Sequence, residues 1–116
     1  MAHKRKRMLC YLRTHRRLWG LTQQELAVFM GFESAAHVSR IENGKRLPTV
    51  EGALACQVIF GVAPSVMFPD AYDAVEERVI RDVYRLHEAL SDKTNPSDLR
   101  KRELFSQVLD RAISKD

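Results

Sequence analysis

Apolar side chains recur along most of this chain at steps of three and four residues, the period of an α-helix with one buried face. Met8, Leu12, His15 and Trp19 lie on one such stripe and predict a first helix over about residues 6–19. Leu26, Ala27 and Met30 predict a second. Its start is marked twice. Thr22 and Glu25 have the spacing of a capping box, and Leu21 and Leu26 stand where a hydrophobic staple would fix the chain's approach. Gly31 falls where a left-handed residue ends such a helix. Ser34 opens a third, with Val38 and Ile41 facing inward and Asn43 and Gly44 ending it. Thr49 reads as the N-cap of a fourth, with Glu51 in the first turn, where the helix dipole favours an anion. Val50, Ala53, Leu54, Cys56 and Phe60 are its expected buried side, and Gly61 its end. Pro64 suits the first turn of a short fifth helix reaching Phe68, and Pro69 blocks its extension.

After Asp70 the pattern narrows. Tyr72, Val75, Val79, Val83, Leu86 and Leu90 form a seam of the kind that packs against another helix. Residues 91–97 read as a loop. A last helix, capped by Asn95 or Ser97, carries Phe105, Val108, Leu109 and Ala112 on one side. The prediction is an all-α chain, with five short helices in residues 1–69 and a two-helix extension, one long and one final, in residues 70–116. The seam fits an intramolecular helical hairpin or a dimer interface equally well.

Composition adds limits. A chain of 116 residues, 45% hydrophobic, fits one domain with an appendage. Its two cysteines, Cys10 and Cys56, fit a reduced intracellular protein better than a disulfide framework. No apolar run is long enough for a signal peptide behind the basic N-terminus or for a membrane span, so the expected location is the cytoplasm. Charge is unevenly placed. Through Phe68 there are ten basic and four acidic side chains; from Pro69 onward there are nine and eleven. A basic front half suits a polyanion, and the arm at residues 4–7 is suited to binding phosphates.

Three linked runs carry a resemblance: Gly20-Leu21-Thr22-Gln23-Gln24-Glu25-Leu26-Ala27, then Ser39-Arg40-Ile41-Glu42-Asn43-Gly44-Lys45, then Pro48-Thr49-Val50-Glu51. In this order they resemble the helix-turn-helix of the Cro and phage-repressor-like family of prokaryotic DNA-binding proteins, the Xre-type regulators, over about residues 8–68. The resemblance implies a five-helix, lambda-repressor-like DNA-binding domain whose second motif helix enters the major groove. It implies that Ala35, Ala36 and Arg40, with His37 beside them, face bases. Arg40 would donate to guanine O6 and N7, and an alanine methyl would pack on a thymine methyl. Gln23, Ser34, Lys45 and Arg46 are the implied phosphate contacts. Arg16, four residues before Gly20, matches a family arginine that pairs with the glutamate of the Glu-Asn-Gly run, here Glu42. One departure stands out. Between Gly31 and Ser39 the chain is one residue longer than the family pattern, which leaves the register of the third helix's start open.

The expected function is a sequence-specific DNA-binding transcriptional regulator, a repressor that binds double-stranded DNA as a homodimer. Two alternatives stand beside it. One is the antitoxin of a toxin–antitoxin pair, with the extension binding the toxin. The other is an adaptor whose helix-turn-helix core has become a protein-interaction module. No enzyme is expected, because the sequence has neither a glycine-rich phosphate loop nor a nucleophile elbow. No cofactor or metal is expected either, since no histidine lies at metal-ligand spacing from a cysteine.

Overall fold

The computed structural model describes residues 7–114. The described residues form seven helices and no strand: α1 Leu12–Leu18, α2 Gln23–Met30, α3 Ala35–Glu42, α4 Val50–Phe60, α5 Pro64–Met67, α6 Pro69–Ala89 and α7 Pro96–Ser114. They divide into two compact units, one ending at Asp73 and the other beginning at Ala74.

The first unit holds the core. Leu12 of α1, Leu26, Ala27 and Met30 of α2, Val38 and Ile41 of α3, Cys56 of α4, and Met67 with Phe68 are buried together. Each fully buried leucine, isoleucine or methionine contributes about 1.5–3 kcal/mol relative to exposure. Helix α2 packs on both α3 and α4. Gly52 makes the second of these contacts close, since a Cβ there would stand 3.0 Å from Met30 Cε. Burial pushes the Cys56 thiol up to about 12, with the neighbouring Cys10 adding to the shift, so it stays protonated at neutral pH.

Three expectations are corrected here. Helix α1 begins at Leu12, not near residue 6, which lies outside the described residues. Residues 8–11 instead form a strap whose amides bond to distant elements: Met8 N–H to Gly44 O (3.3 Å), Leu9 N–H to Asp70 Oδ2 (2.6 Å) and Tyr11 N–H to Met67 O (2.9 Å). Trp19, expected on the buried stripe, is 69% exposed. It follows the last turn of α1, and Gly20 (φ 69°) redirects the chain there. On α4, Val50 is 78% and Leu54 55% exposed, while Gly52 and Cys56 face inward with Ala53 and Phe60 partly covered. An α4 that is apolar almost all round gives no periodic signal of its inner face, and the close approach at Gly52 selects it.

The second unit is a hairpin formed by the later part of α6 and by α7. Asn95 caps α7 by accepting from the Asp98 amide (3.0 Å), and its side chain also donates to the Asp98 carboxylate. His87 and Ser106 meet at 3.1 Å across the hairpin, and Arg102 donates to the Lys93 carbonyl (3.1 Å). The seam on α6 stays partly open: Val75, Val79 and Leu86 are exposed, whereas Val83 and Leu90 are half-buried.

Candidate nucleic-acid interface

The turn from α2 to α3 is held by caps at each end. The Thr22 hydroxyl accepts from the Glu25 amide (3.0 Å), and Glu25 Oε1 accepts from the Thr22 amide (2.9 Å). Those hydrogen bonds, the backbone one first, hold the Glu25 carboxyl below the usual carboxylate range. At the other end Gly31 adopts φ 84°, and the Phe32 amide bonds back to Ala27 O (2.8 Å). Phe32 tucks half-buried against the core, and Ser34 caps α3 by accepting from the Ala36 amide (3.1 Å). The register of α3 is thereby set with Ala35 as its first residue.

Within that register Val38, Ile41 and Glu42 face inward. Ala36 and Arg40 are exposed on the opposite side, and Ala35 and His37 are half-buried. Ser34 is exposed at the start of α3, and Lys45 and Arg46 are exposed in the loop after it. Ala36 and Arg40 thus lie on the outer side of α3, with Ser34 before its first turn and Lys45 and Arg46 after its last. Besides Ser34, whose hydroxyl caps α3, the side chains of His37, Arg46 and Gln23 have intramolecular partners. His37 stacks on Phe32 (ring centroids 5.0 Å apart, 24° between planes), and its Nδ1 lies 2.7 Å from Arg46 Nη1. Gln23, first residue of α2, turns its Nε2 onto Glu42 Oε1 (3.0 Å).

Beneath this surface Glu42 anchors the motif to α1. Arg16 Nε donates to Oε2 at 2.6 Å and Nη2 to Oε1 at 3.1 Å, with the two side chains 11% and 0% exposed. Arg16 Nη1 also reaches the Leu21 carbonyl (3.0 Å), tying the same guanidinium to the chain just before α2. Arg13 adds a longer contact to Glu42 Oε1 (3.4 Å) and a hydrogen bond to Asn43 Oδ1 (2.7 Å). Burial alone would raise the Glu42 carboxyl; the donors from Arg16, Gln23 and Arg13 outweigh it and hold the group below the usual range. Glu42's hydrogen bond in turn raises the Arg16 guanidinium, which stays charged. Sequence reasoning named Arg16 and Glu42 but missed Arg13, Gln23 and Asn43 as members of this network. A signal for Arg13 was present, because it precedes Arg16 by three residues and so shares its helix face.

A helix-turn-helix family model matches residues 12–66, from α1 into α5. That segment is a helix-turn-helix domain of the Cro/C1 type, a family of DNA-binding regulators. Searches of curated proteins and of solved structures gave no match. Among the described residues no helix is long and apolar enough to cross a membrane.

Proposed function

We propose that this protein is a cytoplasmic transcriptional repressor that binds duplex DNA sequence-specifically by placing α3 in the major groove. One observation carries the reading. Helix α3 is fastened from beneath by Val38, Ile41 and the Glu42–Arg16 pair, while Ala36 and Arg40 project from its other side next to the cationic loop. A recognition helix needs that combination of a rigid underside and an unencumbered outer face.

Arg40 donates to guanine O6 and N7, and the methyls of Ala35 and Ala36 pack on thymine methyls. Ser34, Lys45 and the first amides of α2 at Gln23 hold phosphates, with the Gln23 side chain braced by Glu42. Residues 1–69 form the DNA-binding domain, and residues 70–116 bring two copies together on half-sites about one helical turn, ~34 Å, apart.

Selection of bound duplexes from a random library, followed by affinity measurements across a salt series, tests this. The expected result is a two-fold-related site whose affinity falls steeply as salt rises. Arg40→Ala should lower affinity for that site by about 1–3 kcal/mol and relax preference at one base pair. Failure to bind any duplex saturably at low salt would reject the reading in favour of an adaptor.

A further inference from the structure

We infer that His37 reads an acceptor edge in the major groove, guanine's above all, and that Arg46 prepares it to do so by fixing its tautomer. The inference rests on α3 entering the major groove. A guanidinium has five N–H donors and no acceptor, so the 2.7 Å contact between Arg46 Nη1 and His37 Nδ1 can run in one direction only. Arg46 donates and Nδ1 accepts. In the neutral ring the proton then sits on Nε2. The ring's plane is held as well, by its stack on Phe32 at 5.0 Å. The two restraints come from opposite ends of α3, Phe32 from the turn before it and Arg46 from the loop after it. Among the described residues Nε2–H meets no acceptor, so the donor is left for a ligand.

A lone donor of fixed position discriminates between base edges. Guanine offers N7 and O6, two acceptors with no donor between them. Adenine sets its N6 donor beside N7, cytosine presents only the N4 donor, and thymine's single O4 acceptor stands beside a methyl. A histidine free to exchange tautomers would present an acceptor part of the time and tolerate the adenine and cytosine amino groups. Arg46 is thus a positioning residue whose removal broadens base choice, whereas loss of a phosphate contact weakens all sequences alike.

The test has two arms. In the free protein at about pH 8, where imidazole is ordinarily neutral, the ring-nitrogen chemical shifts of His37 should report the Nε2–H tautomer. In Arg46→Ala they should report a mixture. On DNA, library selection should return a guanine that His37→Ala no longer requires and Arg46→Ala reads with reduced preference. Replacing that guanine with 7-deazaguanine should weaken the unmodified protein roughly tenfold and leave His37→Ala unaffected. A selected site with no His37-dependent guanine overturns the inference while the regulator reading stands. So does an Arg46→Ala that loses affinity uniformly, flattens the salt dependence and leaves the tautomer unchanged. Absence of saturable binding to any duplex overturns the regulator reading itself, and this inference with it.

Discussion

Replacing Glu42 with alanine would leave Arg16 almost fully buried with no counter-charge, and replacing Arg16 would leave the buried carboxylate with only the longer Arg13 contact and the Gln23 amide. Either change is expected to destabilise the fold by roughly 3–5 kcal/mol. The double variant should lose less than the two singles added together, a coupling that denaturant unfolding of all four proteins will measure. The same carboxylate gives the chain a pH signature. Its pKa is lower folded than unfolded, so its contribution is complete above the unfolded carboxylate range, about 4.3, and is lost as pH falls through the folded value. Stability of Glu42→Gln should therefore fall less steeply than that of the unaltered chain as pH drops below about 4.3, and acid unfolding monitored by helix content checks this. At this scale the sequence showed the pair only through its likeness to a family. Burial, which makes the pair matter, and the sharing of Glu42 with Gln23 depend on how α1, α2 and α3 meet.

Helices whose ends are written in local chemistry were legible from the sequence. Thr22, Ser34 and Thr49 each accept from an amide of the turn that they start, and Gly31 and Gly61 end α2 and α4 in the left-handed conformation. Where distant chain decides, local pattern misleads. Met8 and Leu12 share a helical period, yet the amides of residues 8–11 bond to Gly44, Asp70 and Met67, and the helix waits until Leu12. Gly44 shows how narrow that join is. It is buried at φ 71°, and a Cβ there would run into the backbone of Met8. Gly44→Ala is thus strained twice, by its own dihedral and by the strap, and should destabilise by roughly 2 kcal/mol or more. Amide hydrogen exchange should show the loss first at Met8 and Leu9. Uniform destabilisation with those amides still protected would mean that the strap is not what the glycine serves.

Across the whole chain, the basic excess lies in the part up to Phe68 and the slight acidic excess in the remainder. If the chain binds DNA as the proposed pair, two copies on adjacent half-sites would supply affinity that one copy lacks. In that proposal the α6 seam would join them. Period alone announced it, but period cannot say what covers an apolar stripe, and Val75, Val79 and Leu86 keep much of their surface exposed. Val79→Glu puts a charge in the middle of that stripe, at a residue that is not a member of the first unit's buried core. If the seam joins two copies, this variant should sediment as a monomer at concentrations where the unaltered chain is a dimer. It should bind a two-half-site operator roughly a hundredfold more weakly while keeping its affinity for a single half-site. A Val79→Glu protein that still dimerises would move the interface off α6. One that loses single-half-site binding too would mean that the substitution has disturbed the DNA-binding helices themselves.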